Sequence, residues 1–361
     1  MANNYFQRVM QQSPTIFWVN NPTRAEADLA IAAGAMGCTC NPSFTQKMID
    51  HPTEGLYALG LLDEAVRESE EDNEAVAILQ RKLVHEIAER FRPLYERNTG
   101  KHGHVSIQGD PVREHDPKVI LHEAHLNREI APNACIKVPC TASGLAAMET
   151  LIAEDFPINA TEIFGVAQAI SLCELYENVT GRRGRKPKMY LSHIAGIYDD
   201  YIKQFVEREK VQISPDILWQ AGLAVARKVY QIIQERGYHV TFIGGGARGL
   251  HHFIEMVGGD LVVTINWAGT ADKLIETDPP VVYRLFNPVP KRVIDELKEK
   301  LPDFSRGYRE DGLTVEEYEE FGPVAHFRGS FIRSWKRVLQ LAQERRIALN
   351  PTILSPKDAI R

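Results

Sequence analysis

Eight short runs rich in β-branched and aromatic residues alternate with longer helical patterns between about residues 15 and 276. The helical patterns are amphipathic; residues 216–237, for example, carry apolar side chains at close to the three-to-four spacing of one helix face. Strands that alternate with helices pair in parallel through right-handed crossovers, and a count of eight favours a closed barrel over an open doubly wound sheet. The sequence therefore predicts an α/β fold, a single (β/α)8 TIM barrel. The runs are TIFWV (15–19), GCTC (37–40), HVSIQ (104–108), CIKVP (135–139), INATEI (158–163), KMYLSHI (188–194), HVTFIGG (239–245) and DLVVTI (260–265).

The pattern changes after Asp278-Pro279-Pro280. Residues 293–301 and 324–346 have helical periodicity, and the charged stretch between them, PDFSRGYREDGLT, is loop-like. We therefore expect residues 1–279 to form the barrel and residues 280–361 to form a C-terminal helical extension packed on it, not a separate domain.

Charge and hydropathy exclude several classes of protein. The 361 residues include 42 basic and 48 acidic ones, a net charge of −6, which gives no basic footprint for nucleic acid. No apolar run approaches the roughly 20 residues needed to cross a bilayer, and the N-terminus lacks the blocks of a signal peptide. We expect a cytoplasmic protein without nucleic-acid or membrane partners.

The five cysteines also bear on the class of protein. Cys38 and Cys40 form a C-x-C pair, whose sulfurs point to one face if the segment is a strand. The odd count argues against a disulfide scaffold, and no second pair follows at zinc-site spacing. The sequence predicts reduced thiols and no metal site.

A single lysine, Lys137, lies inside the apolar run CIKVP. Burial there would penalise the ammonium, lower the pKa and leave an amine that can attack a carbonyl to form a Schiff base. The alternative is a lysine whose stem packs in the strand while its ammonium reaches the surface. Taken alone, the run leaves both readings open.

Polar residues stand at or just beyond the end of nearly every predicted strand. In a barrel of this type the site lies at those carboxyl ends. The polar residues are Asn20, Asn41, Gln108, Lys137, Thr161, Ser192 and Arg248.

The sequence resembles the transaldolase family, including its fructose-6-phosphate aldolase branch. CTCNPSF (38–44) resembles the family's motif after the second strand, IKVPCTASGLAAMETLIAE (136–154) its lysine strand and following helix, and INATEIFGVAQA (158–169) its next strand and helix. The resemblance runs in order across most of residues 15–276, and SFIRSWKRVLQLAQ (330–343) resembles the closing helix of longer members.

The resemblance implies roles for these residues. Lys137 would form the Schiff base, and Gln108 and Thr161 would flank it and hold a proton-shuttling water. Asn41 and Ser43 would orient substrate hydroxyls, and Ser192 would contact the Schiff-base part of the substrate. Without the resemblance, Asn41-Pro42 is equally a turn signal, and Thr161 equally a strand-packing residue.

Two departures from the family pattern concern proton transfer. Asn20 stands where transaldolases carry an aspartate, and Gln108 where they carry a glutamate. The aldolase branch also has glutamine there but adds a tyrosine, whose place here is Ile194. Amides hold water but do not exchange protons near neutral pH. His193 is the nearest titratable candidate for a proton acceptor, or else a packed histidine.

A further departure concerns phosphate, which transaldolases usually clamp with two arginines. Arg248 matches one, whereas Ile197 occupies the place of the other. Arg248 lies in GGGARG (244–249), which we expect to open a helix and present amides to an anion. GGGARG also fits the G-x-G-x-x-G pattern of dinucleotide folds, but the next strand ends in Asn266-Trp267 and not in an acidic residue.

The leading hypothesis is a transaldolase-like class I aldolase or transferase acting on sugars or sugar phosphates. It would transfer or release a dihydroxyacetone unit without metal or organic cofactor, because the iminium nitrogen serves as electron sink. A catalytically silent barrel that binds a sugar or a protein partner is the alternative, motivated by Asn20 and Gln108. The oligomeric state stays open, and a homo-oligomer is compatible with the sequence.

Overall fold

The computed structural model of the chain describes residues 3–349 and contains eight parallel strands closed into a barrel in the order β1 to β8. The predicted (β/α)8 TIM barrel is therefore confirmed, with additional C-terminal helices. The strands are β1 (Ile16–Asn20), β2 (Cys38–Cys40), β3 (Val105–Gln108), β4 (Ala134–Pro139), β5 (Ile158–Ile163), β6 (Met189–His193), β7 (Thr241–Gly244) and β8 (Val262–Asn266).

Sixteen α-helices are present in the described part of the chain, and most surround the barrel. Those of the amino-terminal half are α1 (Tyr5–Gln12), α2 (Arg24–Ala33), α3 (Phe44–Asp50), α4 (Gly55–Glu68), α5 (Asp72–Arg97), α6 (Pro117–Arg128), α7 (Ala142–Ala153) and α8 (Val166–Arg183). The others are α9 (Ala195–Glu209), α10 (Pro215–Leu218), α11 (Ala221–Glu235), α12 (His251–Ile254), α13 (Asp272–Thr277), α14 (Lys291–Lys300), α15 (Pro302–Tyr308) and α16 (Gly322–Leu349).

Alternation along each strand decides which side chains enter the barrel. Trp18, Cys135 and Tyr190 belong to a small apolar cluster separate from the main core, and this cluster fills the barrel interior. Side chains two positions further along a strand point to the same face. Asn20, Lys137 and Ser192 therefore point inward, directly above this cluster.

The C-terminal helices pack against the barrel helices and do not form a layer of their own. α16 packs across α3, α4, α5 and α9 and reaches β5. Buried Trp335 donates from Nε1 to Asn73 Oδ1 at 2.7 Å, and Arg346 Nε lies 2.7 Å from Asp72 Oδ1. The contacts agree with a packed extension, although a boundary at residue 279 stays a prediction.

One expectation about this region is wrong. The charged stretch after Leu301 begins with α15, whereas we expected a loop throughout. Pro302 stands in the first turn, where its missing N–H costs nothing, and Phe304 is buried against the core. One apolar contact of this kind stabilises a short helix whose composition alone does not predict it.

All five cysteines are free and buried. Cys38 and Cys40 point to one face of β2, and their sulfurs lie 3.8 Å apart. Within residues 3–349, no helix is both long and apolar enough to cross a membrane.

Candidate active site

The carboxyl ends of the strands open into a cavity of about 460 Å³. Six of the eight residues singled out by the sequence line it, namely Asn20, Asn41, Ser43, Lys137, Ser192 and Arg248. Gln108 and Thr161 do not line it; they are buried in the barrel wall, 1% and 0% exposed. The Thr161 hydroxyl has no hydrogen-bond partner among residues 3–349.

Lys137 lies in the wall of this cavity on β4 and is only 6% exposed. Its ammonium does not reach the surface, so the surface-reaching alternative for Lys137 is wrong. Burial lowers the pKa of Lys137 to about 8, although the nearby Glu162 carboxylate opposes the shift. Nζ lies 5.9 Å from the centroid of the Phe331 ring, which α16 contributes. This lysine therefore carries a sizeable fraction of neutral amine near neutral pH.

Asparagines at the mouth form a fixed hydrogen-bonded rim. Asn20 donates from Nδ2 to Asn266 Oδ1 at 2.9 Å and accepts from Thr39 Oγ1 at 2.8 Å. Asn41 Oδ1 accepts from Asn21 Nδ2 at 2.9 Å, and Asn21 has a left-handed backbone (φ 44°) that asparagine tolerates. The rim offers orienting amides but no proton that titrates near neutral pH.

Ser192 begins a polar chain beneath Lys137. Its hydroxyl donates to Asn159 Oδ1 at 2.7 Å, and Asn159 Nδ2 donates to Ser106 Oγ at 3.2 Å. Asn159 is the register partner of Lys137 on the neighbouring strand. The chain thus holds the Ser192 hydroxyl at the floor of the cavity.

The GGGARG loop differs from the sequence expectation. GGGARG does not open a helix: α12 begins only at His251 and is a single turn of four residues. Gly246 has φ +70°, where an added Cβ would meet Ile194 Cγ2 at 2.5 Å. The loop is therefore non-helical where Gly245, Gly246 and Arg248 line the cavity, and α12 is a single turn that starts beyond it.

Both cations at the mouth have acidic partners. Arg248 Nε pairs with Asp200, and Lys47 Nζ lies 2.8 Å from Glu26 Oε2. Ile194 and Ile197, which the resemblance placed at a tyrosine and an arginine position of the family, line the same cavity. Neither cation at the mouth is therefore without a counter-charge.

His193 does not point into the cavity. Its neighbour Ser192 faces inward, so the imidazole faces the helix layer, fully buried and stacked 6.3 Å from Phe242. Burial lowers the pKa of His193 to about 3. Of the two alternatives for His193, a proton acceptor or a packed histidine, the structure agrees with the packed histidine.

Two buried glutamates, Glu114 and Glu162, were missed by the sequence analysis. Glu114 lies in the segment after β3, and Glu162 lies within β5. Gln108 Nε2 donates to Glu162 Oε1 at 3.0 Å and to Glu114 Oε2 at 3.3 Å. The signal that singled out Lys137, a charged residue inside an apolar strand, applies equally to Glu162 in INATEI.

One cluster among the described residues could offer three ligand atoms to a metal ion, those of Asp199, His251 and His252. However, His252 Nε2 lies 3.0 Å from Asp199 Oδ2, and Asp199 Oδ1 accepts from Gly222 N at 2.7 Å. These contacts tie α12 to α9 and α11. A structural hydrogen-bond network therefore accounts for the cluster.

Comparison with known proteins identifies the family. The sequence profile of the transaldolase/fructose-6-phosphate aldolase family matches residues 17–308. The transaldolase of Thiobacillus denitrificans is 24% identical over 328 residues, which cover 84% of this chain and 88% of that protein. The transaldolase of Mycobacterium leprae is 28% identical over 280 residues, 69% of this chain and 72% of that protein.

A third relative, transaldolase 1 of Streptomyces avermitilis, is 29% identical over 222 residues, and the alignment covers 58% of this chain and 57% of that protein. The family profile spans all eight strands and continues into α15. The barrel, the lysine strand and these matches agree: the chain belongs to the transaldolase/fructose-6-phosphate aldolase family of enzymes.

Proposed function

We propose that this protein is a class I aldolase or transferase that moves a dihydroxyacetone unit through a Schiff base on Lys137. The observation that carries the proposal is a lysine amine buried in the wall of a polar cavity, with its pKa lowered to about 8. A buried amine of this pKa is a nucleophile toward ketones near neutral pH. The cavity volume of about 460 Å³ lies within the usual range for small-molecule sites.

The chemistry follows from an iminium ion at Lys137. The amine adds to the ketose carbonyl, and loss of water gives the iminium. The C4 hydroxyl then gives its proton to solvent and the C3–C4 bond breaks, which releases an aldehyde. The electron pair of that bond moves to the iminium nitrogen to give a neutral enamine. The enamine attacks an acceptor aldehyde, whose oxygen takes a proton, and hydrolysis of the new iminium frees Lys137; alternatively the enamine takes a proton and is hydrolysed to dihydroxyacetone. Ser192 and Asn41 would orient substrate hydroxyls.

The charges at the mouth favour a substrate with a weakly charged or neutral distal end. Arg248 is paired with Asp200, Lys47 is paired with Glu26, and Ile197 supplies no charge where relatives carry an arginine. A phosphate would have to compete with two carboxylates for these cations. We infer that unphosphorylated ketoses are accepted nearly as well as their phosphates.

This inference predicts specificity constants. Wild type should show little preference for fructose 6-phosphate over fructose. Ile197→Arg should raise the preference for the phosphate about 10- to 100-fold, because one charged hydrogen bond contributes roughly 1.5–3 kcal/mol. Ile197→Met is the control, because it introduces a long, unbranched side chain without a charge, and it should leave the preference for the phosphate unchanged. A wild type with strong phosphate preference that the arginine leaves unaltered would mean that the anion site lies elsewhere.

Borohydride trapping tests the proposal as a whole. Incubation with dihydroxyacetone or fructose 6-phosphate and borohydride should add one reduced substrate unit to Lys137, located by peptide mass spectrometry. A catalytically silent barrel, the alternative motivated by Asn20 and Gln108, would bind the sugar without this covalent increment. Absence of any adduct would therefore refute the aldolase proposal.

A further inference from the structure

A buried cluster of three side chains lies in the barrel wall beside Lys137, and we call Gln108, Glu114 and Glu162 the carboxylate cluster. Gln108 is the register partner of Lys137 on β3, and its Nε2 bridges the two glutamates. Glu114 is 5% exposed and Glu162 is fully buried. The cluster thus places two carboxyl groups around one amide. The amide of Gln108 and the carboxyl group of Glu162 lie on β3 and β5, the strands on either side of the lysine strand, and Glu114 lies in the segment that follows β3.

The backbone of Glu162 is unusual for a strand. Its φ is +59°, and the pairing of β5 with β6 shifts register between Ala160 and Ile163, as in a β-bulge. A bulge re-aims a side chain, and a left-handed backbone is strained for a residue other than glycine. With the backbone in this conformation, the Glu162 carboxylate accepts a hydrogen bond from Gln108. Backbone strain of this kind concentrates at functional sites.

The cluster has more acceptors than donors. Glu162 Oε2, Glu114 Oε1 and Gln108 Oε1 have no hydrogen-bond partner within the described residues. Arg328 Nε is 3.9 Å from Glu114 Oε1, too far for a hydrogen bond. Two buried carboxylates that accept from the same amide nitrogen do not both ionise easily, which favours one neutral carboxylic acid in the pair.

The charges around the cluster give the direction of both pKa shifts. Burial raises the pKa of Glu162, and burial with the neighbouring Glu162 charge raises that of Glu114. The hydrogen bond from Gln108 and the charges of Arg328 and Lys137 lower the pKa of Glu162, whereas Glu319 raises it. Arg328 and the hydrogen bond from Gln108 lower the pKa of Glu114, whereas Asp110 raises it. A carboxylic acid therefore persists here to higher pH than at the surface.

We propose that Glu162 is the acid–base group for imine formation at Lys137, with Glu114 sharing its proton; this rests on the proposed function. After the Lys137 amine adds to the ketone, a neutral carbinolamine forms. The Glu162 carboxylic acid donates its proton to the carbinolamine hydroxyl, the C–O bond breaks and water leaves. The nitrogen lone pair completes the C=N bond, and the negative charge left on the Glu162 carboxylate balances that of the iminium. Hydrolysis reverses these steps.

This assignment supplies the titrating group that Gln108 does not provide. Gln108 keeps the position but donates to both carboxylates, so it fixes Glu162 beside the lysine strand instead of exchanging the proton itself. We therefore expect Gln108→Glu alone to slow imine formation, because it removes the bridging donor and buries a third carboxyl group.

The test is the rate at which wild type and variants form the imine with dihydroxyacetone, measured by rapid quenching in borohydride. Glu162→Gln should slow the approach to the adduct roughly 10²-fold or more, the usual size of an acid–base contribution, while the final adduct stays on Lys137. The rate in wild type should fall at high pH as the shared proton is lost. In Glu162→Gln this descending limb should disappear.

Two further variants make the test specific. Glu123→Gln is the matched control: Glu123 is equally buried and burial raises its pKa to about 7, but its partner is Arg81. It should leave rate and pH profile unchanged. The double variant Gln108→Glu/Glu162→Gln, which we call the exchange variant, retains one amide and one carboxyl group in contact. Its rate of imine formation should be at least about tenfold higher than that of Glu162→Gln.

The outcomes separate this inference from the proposed function. Wild type without any adduct would refute the Schiff-base proposal itself. An adduct that forms in Glu162→Gln at the wild-type rate and with the wild-type pH profile would refute the role of Glu162 alone. Equal slowing in Glu123→Gln would also refute it, since any buried glutamine would then have the same effect. If Glu162→Gln does not fold, the pH profile of the exchange variant decides. A rate of imine formation that falls at high pH supports the proposal, and a rate without this descending limb refutes it.

Discussion

Replacing Lys137 by alanine should abolish the borohydride-stable adduct and reduce turnover on the order of 10⁶-fold, as removal of the covalent nucleophile does in a serine protease. Lys137→Arg should be equally inactive, because a guanidinium stays protonated and does not form the imine. Intact-protein and peptide mass spectrometry measure the adduct, and circular dichroism checks that the barrel is still folded.

The pH dependence and a control make this prediction specific. With a pKa of about 8, the neutral amine of Lys137 increases as pH rises toward 8, so the ascending limb of imine formation should have its midpoint there. Lys188→Ala is the control, because burial also lowers the pKa of Lys188 but its Nζ donates to Thr241 at the amino ends of β6 and β7. An adduct that persists in Lys137→Ala would show that another lysine is the nucleophile.

Phe331→Ala should have the second largest effect, on stability and on Lys137 together. Phe331 is 1% exposed, and its ring centroid lies 4.3 Å from that of Phe327. Removal of such a ring costs about 3–5 kcal/mol, measured as a fall in the free energy of unfolding. Lys336→Ala, an exposed position on the same helix, should cost less than about 0.5 kcal/mol.

The same substitution should raise the pKa of Lys137. Two effects oppose each other: the ring face attracts the ammonium, whereas the ring also keeps water away from it. At 5.9 Å from the centroid the attraction is near its outer limit, so loss of desolvation should dominate. The midpoint of the ascending limb of imine formation should move above 8. A midpoint that moves downward would mean that the cation–π contact dominates.

The sequence predicts the barrel because its evidence is repeated eight times. Each strand is short, apolar and followed by a helix, so an error in one element does not change the fold class. Lys137 was predictable for a similar reason, since a charge inside an apolar run stands out. The outward orientation of His193 also follows from simple alternation after Tyr190 and Ser192. His193 was nevertheless a candidate proton acceptor because it lies at the end of a strand, where the site was expected.

The remaining features depend on local geometry that spacing does not encode. Glu162 contacts Gln108 where the backbone leaves ordinary strand geometry, and alternation counted from Asn159 would assign the inward position to Thr161 and not to Glu162. Glu114 lies in an irregular segment and reaches the cluster only in three dimensions. The short helix α12 likewise follows from a glycine turn whose direction only packing determines.

The five free thiols have a consequence for how this barrel can be studied. Two lie in β2, one in β4, one immediately after β4 and one in α8, all shielded from solvent. Burial raises the pKa of Cys135, Cys140 and Cys173, so the reactive thiolate is scarce while the fold is closed. Alkylation therefore has to wait for a segment to open. In variants that retain one cysteine at a time, labelling rates would rank the opening free energies of neighbouring barrel segments without any added probe.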